Sequence, residues 1–297
     1  QPLDAVGGAI VEVNAGPGLL MHLKPAIGQP RPVGEAIVRQ LFPSDDPMAG
    51  RIPLVGVAGE TGSTLLARAT AHLLGLGLGP APTGLACREG IYLGRRRLEP
   101  VEATGYWHQC ERLLMNREIQ SLVVQVSAGL ILDHGLPYDR CLVGVVTDTD
   151  GWEALERHDV HGPDDMPRAL RTQVDVVLPE GAAVLNAEDD EVANLAQYCD
   201  GEVTYFASSE DHPRIIQHRS ENGRVVFWRK NHLILAHGEQ EIEALNRQLP
   251  AIDKVFKNKH LKCMEVLAAS AAAWALGIQT DLIRAGIKSF GQSPGAH

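Results

Sequence analysis

The chain has 297 residues, a formal net charge of −10, and a hydrophobic fraction of 44%. This is the composition of a globular protein with a sizeable core, and it excludes a mostly disordered or fibrous chain. The negative charge argues against general nucleic-acid binding, which depends on neutralising phosphates. No apolar run reaches the roughly 18–20 residues of a membrane span.

A predicted strand over residues 8–14 comes first, followed by a proline-rich loop and a short predicted helix over residues 34–41. Spacing of two residues places Glu12 and Asn14 on the same face of the strand. Taken alone, this pair fits either the exposed polar face of an edge strand or a ligand pair, and the spacing favours the first.

The stretch from Pro43 to Gly50 has the composition of a linker and contains Ser44-Asp45-Asp46-Pro47. Clusters of Pro, Ser, Asp and Gly mark connecting segments. The sequence therefore predicts a first domain piece over residues 1–42, a linker over residues 43–50 and a second domain over residues 51–297.

Short apolar strands alternate with helices beyond the linker, which predicts an α/β domain with a largely parallel sheet. The strands are predicted over residues 52–58, 122–126, 142–147, 176–178, 182–186, 202–206, 224–228 and 232–236. The helices are predicted to follow the glycine turn and end near Gly75, and to span 107–117, 165–173, 260–276 and 279–289.

The glycine turn has the parts of a phosphate-binding loop, in which backbone N–H groups and a helix dipole face the anion. It reads Gly59-Glu60-Thr61-Gly62-Ser63-Thr64. A working loop also needs a lysine directly before a Ser or Thr, and Ser63 stands in that position. The next basic residue, Arg68, is more than a helical turn away. The turn therefore predicts a structural strand–turn–helix unit, with weak nucleotide binding as the alternative.

Several runs in combination resemble the cyanophycin synthetase family. The end of an ATP-grasp domain is similar to three segments of this chain, Gly7–Asn14, Pro17-Gly18 and Met21-His22. The central domain of Mur-type ligases is resembled by Arg51-Ile52-Pro53, Gly90-Ile91-Tyr92, Tyr138–Cys141, Val143–Thr147 and Ala183–Asp189. The resemblance covers nearly the whole chain. It implies an α/β fold in which a C-terminal piece of an ATP-grasp domain precedes a Mur-ligase-like central domain, with a mainly parallel sheet flanked by helices.

The same resemblance exposes departures from the residues that bind ATP in the family. Ser63 replaces the lysine of the loop, and Gln125 replaces a metal-binding glutamate, whose charge an amide cannot supply. Further family positions are taken here by Ala128-Gly129-Leu130, Trp152, Glu153, Leu170 and Glu265. Because each change removes a charge or ligand, the comparison predicts a catalytically degenerate Mur-like site.

Residues 291–295 resemble the start of the linker to the third Mur lobe, so we expect that lobe to be absent. This combination resembles the second type of the family, whose ATP-grasp domain joins β-aspartyl-arginine dipeptides into cyanophycin. The resemblance implies ATP and Mg²⁺ at the ATP-grasp site, with Glu12 and Asn14 as metal ligands, and no cofactor at the Mur-like site. It also implies contacts with upstream ATP-grasp and N-terminal regions of the same protein, and with a second copy in a homodimer. The expected ligands are the cyanophycin polymer and the β-aspartyl-arginine dipeptide, and neither nucleic acid nor a membrane is an expected partner.

Two other functions stay open at this point. One is a non-catalytic module that binds nucleotide or polymer, and the other is a bifunctional synthetase that uses free Asp and Arg. The second requires a working Mur-type site, against which Ser63, Gln125 and Leu170 argue. Arg95–Arg97 is predicted to be a solvated hairpin tip, with contact to an acidic polymer as the alternative. The segment His158–Asp165 is predicted to be a solvated loop, with a remnant metal site as the alternative.

The termini and cysteines add expectations about context. The chain starts at Gln1 without an initiator Met or a signal peptide pattern, so we expect a part of a longer protein. Its cysteines are five in number and form no CxxC pair, which favours reduced thiols and a cytoplasmic location. They are Cys87, Cys110, Cys141, Cys199 and Cys263.

Overall fold

The computed structural model describes residues 5, 7, 13, 16, 18–43, 50–101, 105–248 and 263–290. The chain divides into two compact units, residues 1–51 and residues 52–297, at the end of the predicted linker. In the first unit, α1 spans Leu20–Leu23 and α2 spans Val33–Leu41, which confirms the short helix predicted there. Glu12, Asn14 and residues 291–297 lie outside the described residues, so the ATP-grasp assignment of residues 1–42 and the missing third lobe stay predictions.

One 11-stranded sheet forms the centre of the second unit, in the order β11-β10-β9-β8-β7-β6-β1-β5-β2-β3-β4. The seven strands from β9 to β2 pair in parallel, and an antiparallel extension follows at each edge. The strands are β1 Leu54–Ala58, β2 Thr83–Cys87, β3 Gly90–Leu93, β4 Arg96–Glu99, β5 Ser121–Val126, β6 Cys141–Val146, β7 Val177–Asn186, β8 Glu202–Ala207, β9 Arg224–Arg229, β10 His232–His237 and β11 Gln240–Asn246.

Helices cover both faces of this sheet and form two separate cores. Side chains alternate between the two faces along β1, as the two-residue period of a strand requires. Val55 and Val57 lie in one core, and Leu54 and Ala58 lie in the other. The helices are α3 Ser63–Gly77, α4 Tyr106–Leu114, α5 Ala128–His134, α6 Pro167–Asp175, α7 Asp190–Asn194, α8 Pro213–Ser220, α9 Cys263–Ala275 and α10 Thr280–Ser289. In the part of the chain that the structure describes, none of the helices has both the length and the apolar character needed to span a bilayer.

The predicted parallel α/β architecture is confirmed, with corrections to individual elements. The two strands predicted over 176–178 and 182–186 are one strand, β7, whose register against β6 shifts where Pro179 and Glu180 are exposed. The sequence reading missed α1, β2, β3, β4, β11, α5, α7 and α8. Most of these are short, and β2 contains a glycine and one β-branched residue, so the two-residue pattern is weak there.

The topology places the glycine turn at a reversal of strand order. From β1 the chain first builds β2 and β5 on one side, and then continues with β6 on the other side. In open α/β sheets, ligands bind beyond the carboxyl ends of the strands at such a point. Ala58, the last residue of β1, pairs with Val146, the last residue of β6, so the segments that follow these strands are adjacent.

Candidate functional site

The turn between β1 and α3 depends on two glycines. Gly59 has a φ of +138° and Gly62 has a φ of +71°, both in the region that favours glycine. A Cβ atom on Gly59 would lie 1.9 Å from Thr147 Oγ1, and one on Gly62 would lie 2.1 Å from Glu265 Oε1. The turn is therefore packed closely against the segment after β6 and against the start of α9.

A carboxylate from the neighbouring strand end is bound to the backbone of this turn. The Oδ1 atom of Asp148 accepts hydrogen bonds from the N–H groups of Glu60, at 3.0 Å, and Asp150, at 3.2 Å. Its Oδ2 atom accepts from the N–H of Thr61, at 3.2 Å, and from Thr147 Oγ1, at 2.7 Å. Burial raises the pKa of Asp148, and the hydrogen bonds from Glu60 N–H and Thr147 oppose that shift.

Gln125 connects the first turn of α3 to the sheet. Its Nε2 donates to Ser63 Oγ at 2.8 Å, and its Oε1 accepts from Thr64 Oγ1 at 3.1 Å and from the N–H of Arg88 at 2.9 Å. Its backbone carbonyl accepts from Tyr106 Oη at 2.6 Å. Gln125 is only 2% exposed, so these groups satisfy one another away from water.

An ion pair joins the same turn to the end of β2. The two terminal nitrogens of the Arg88 guanidinium, Nη1 and Nη2, donate to the carboxylate of Glu60, with Nη1 at 2.5 Å from Oε1. The hydrogen bond that Arg88 donates to the Glu60 carboxylate raises the pKa of Arg88, against a smaller lowering by burial. Thr61 Oγ1 donates to Asp150 Oδ2 at 2.7 Å, so both side chains at the middle of the turn are engaged.

A cavity of about 410 Å³ opens beside the turn. The carboxyl groups of Asp148, Asp150 and Glu265 contribute to its lining. Its apolar lining consists of Leu66, Phe206, Cys263 and Met264. Among the described residues, none that lines the cavity is a lysine or an arginine. The described lining thus contributes negative charge, which favours cationic or neutral groups over phosphates.

The structure brings together only some of the positions that the sequence singled out. Ser63, Thr64 and Gln125 form one network, and Glu265, which is 6% exposed, lies against Gly62. The remaining predicted positions lie apart from that network. Leu170 is 1% exposed inside the core, Trp152 packs partly buried against the same core, Glu153 is exposed, and Ala128–Leu130 form the first turn of α5.

Several residues of this site were missed in the sequence, among them Asp148 and Arg88. Asp148 carried a usable signal, because it comes two residues after the buried strand β6. The carboxyl ends of neighbouring parallel strands meet at one edge, so a charged residue at that position is a candidate for contact with the turn. Arg88 follows β2, which the sequence reading did not recognise as a strand.

The other two segments singled out in the sequence lie largely at the surface, although Val160 in the second is buried. Arg95 occupies the turn between β3 and β4, and Arg96 and Arg97 continue into β4, where all three are exposed. In the segment His158–Asp165, His158 contacts Asp133 at 2.9 Å, and the N–H of His161 donates to Asp165 at 2.9 Å. Within the described ranges, no group of three or more His, Cys, Asp and Glu residues is arranged to hold a metal ion.

Comparison of the whole chain with known proteins gives consistent relatives. The chain is 34% identical over 298 residues to the cyanophycin synthetase of Geminocystis herdmanii. The alignment covers 100% of this chain and 33% of that protein. The chain is thus similar to cyanophycin synthetases along its whole length. The cyanophycin synthetase of Crocosphaera subtropica is 31% identical over 302 residues, with 99% of this chain and 34% of the relative covered. The chain thus spans about a third of the length of these relatives, and no protein-family model matches it.

Solved structures show the fold of the second unit. Escherichia coli FolC, in complex with DHPP and ADP, matches with a TM-score of 0.56 at 14% identity, over 86% of this chain and 59% of FolC. A UDP-N-acetylmuramoyl-L-alanyl-D-glutamate–2,6-diaminopimelate ligase also matches with a TM-score of 0.56, at 12% identity, over 82% of this chain and 47% of the ligase. The fold is therefore that of the Mur ligases, and we refer to residues 52–297 as the Mur-like unit.

Proposed function

We propose that the chain is part of an ATP-dependent peptide ligase that joins β-aspartyl-arginine dipeptides into cyanophycin. In this proposal, acyl-phosphate chemistry belongs to an ATP-grasp domain of the full-length protein, for which Glu12 and Asn14 supply Mg²⁺ ligands. The Mur-like unit is a catalytically inactive scaffold within a cytoplasmic homodimer. The homology to cyanophycin synthetases supports the ligase class.

The observation that carries the scaffold proposal is the Gln125 network. A Mur-type site needs a lysine ammonium on the phosphates and a carboxylate on Mg²⁺. Here Ser63 and Gln125 occupy those two positions, and they are hydrogen-bonded to each other at 2.8 Å. Thr64, whose hydroxyl corresponds to the Mg²⁺ ligand of such a loop, donates to Gln125 instead.

The residues at the positions that would hold ATP and Mg²⁺ in a Mur-type site therefore do not fit those groups. The polar groups at the start of α3 are already satisfied by neutral partners, so binding a cation there would break hydrogen bonds without gaining a charged ligand. The cavity beside the turn adds the carboxylates of Asp148, Asp150 and Glu265, which repel polyphosphate.

The test uses the full-length parent protein with ATP, Mg²⁺ and a short cyanophycin primer. Polymer growth is measured on β-aspartyl-arginine and, separately, on free Asp plus Arg. We expect growth on the dipeptide only, abolished by Glu12→Ala and retained in Ser63→Ala. A thermal melt of each variant confirms that the protein is folded. Growth on the free amino acids would contradict the scaffold proposal and support the bifunctional synthetase.

A second candidate is a non-catalytic ligand-binding module, and the cavity of about 410 Å³ is the observation that favours it. This candidate predicts no polymer growth on either substrate. It further predicts saturable binding of nucleotide or of cyanophycin to the isolated chain in calorimetric titrations.

A further inference from the structure

The turn before α3 presents the donors that an anion site requires. The N–H groups of Glu60 and Thr61 follow β1 directly and precede Ser63, where the 15-residue helix α3 begins. In a phosphate-binding loop, N–H groups in this place and the positive end of the helix dipole face the anion. In this chain both N–H groups end on one carboxylate, that of Asp148.

That carboxylate is held in place by strand pairing. The last residues of β1 and β6, Ala58 and Val146, are register partners, which puts Asp148 beside the turn. Thr147 Oγ1 and the N–H of Asp150 also donate to it. Each of its two oxygens thus accepts two hydrogen bonds, which is the full capacity of a carboxylate.

A phosphate group cannot share this position with Asp148. The N–H groups of Glu60 and Thr61 are already used, and a second anion beside a partly buried carboxylate is repelled strongly because local screening is weak. The cavity beside the turn leaves room for a ligand to reach the same point, since Thr61 and Asp148 both line it.

We propose that Asp148 is a built-in anion that fills the phosphate cradle of the turn and excludes phosphate groups from the Mur-like unit. The inference rests on the proposed function, because it names the residue that keeps nucleotide phosphates out of a scaffold. It predicts that removing this one carboxylate exposes an anion site made of the Glu60 and Thr61 N–H groups and the start of α3.

The experiment compares the whole chain with Asp148→Ala and Asp150→Ala, using inorganic pyrophosphate as the probe. Binding is measured by calorimetry and by the rise in melting temperature with pyrophosphate concentration. We expect the Asp148→Ala variant to bind pyrophosphate at least about tenfold more tightly than the wild type. Asp150→Ala is the matched control, since it removes a negative charge from the same cavity and leaves both turn N–H groups bonded to Asp148.

A second variant keeps the test decisive if Asp148→Ala does not fold. Asp148→Asn retains the size of the side chain, but it lacks the charge and turns one of its two oxygens into a donor group. One N–H of the turn then loses its acceptor. We expect its affinity for pyrophosphate to lie between those of the wild type and Asp148→Ala.

Three results would overturn the inference. The first is a folded Asp148→Ala variant, or a folded Asp148→Asn variant if only that one is obtained, that binds pyrophosphate no better than the wild type. The second is an equal gain in pyrophosphate affinity in Asp150→Ala. The third is tight binding of pyrophosphate by the wild type itself. The proposed function fails on a different result, growth of the parent protein on free Asp plus Arg.

Discussion

Replacing Gln125 with alanine should destabilise the Mur-like unit more than its small size change suggests. The substitution removes an acceptor from Thr64 Oγ1 and from the N–H of Arg88, and a donor to Ser63 Oγ. At about 1 kcal/mol for each hydrogen bond in a buried site, we expect a loss of about 3 kcal/mol in the free energy of unfolding. For a unit of this size, that corresponds to a fall of roughly 6–12 °C in melting temperature.

Urea denaturation and thermal melts of the whole chain measure this loss. Ser121→Ala is a suitable control, because Ser121 lies on the same strand, is also buried, and has one side-chain hydrogen bond, to Thr83 at 2.8 Å. We expect it to cost about 1 kcal/mol. If Gln125→Ala costs no more than this control, Gln125 does not fasten α3 to the sheet, and the observation that carries the scaffold proposal is lost.

Two further predictions concern the turn and the far edge of the sheet. Gly62→Ala should lower the free energy of unfolding by about 2–4 kcal/mol, because of the left-handed backbone and the contact with Glu265. Adding Glu265→Ala should recover part of this loss. Strictly additive effects of the two substitutions in urea melts would refute the contact. The hydrogen bond from Arg229 lowers the pKa of Glu241 to about 2, assisted by Arg219, so its contribution to stability is present above the unfolded value of 4.5 and is lost as pH falls towards 2. Because Glu241 is exposed and solvent screens its ion pair, we expect Glu241→Gln to cost no more than about 1 kcal/mol at neutral pH and less with falling pH in urea melts, and a cost independent of pH would contradict this.

The central strands could be predicted because their residues carry the signal locally. Runs such as Leu54–Ala58 and Cys141–Val146 are apolar throughout, as strands buried on both faces must be. The edge strand β4 reads Arg-Arg-Leu-Glu, is mostly exposed, and has no such pattern. Its place in the sheet follows from pairing with β3, which a local pattern does not contain.

The candidate site was predictable only in part for a similar reason. The replaced residues Ser63 and Gln125 stand out once the loop is compared with a family pattern. The bond from Glu60 N–H to Asp148, by contrast, joins residues 88 positions apart. It depends on β6 lying next to β1, and strand order is a property of the whole fold rather than of either segment.

The hydrogen bond between Ser63 and Gln125 also makes substitutions at these two positions depend on each other. A lysine introduced alone at position 63 removes the hydroxyl that accepts from Gln125 Nε2, and it places an ammonium beside an amide that cannot neutralise it. A glutamate introduced alone at position 125 puts a charge into a site that is 2% exposed, without a lysine at position 63. Each substitution is costly until the other has been made, so a loop with Lys at position 63 and Glu at position 125 is separated from this one by single variants that are less stable than either.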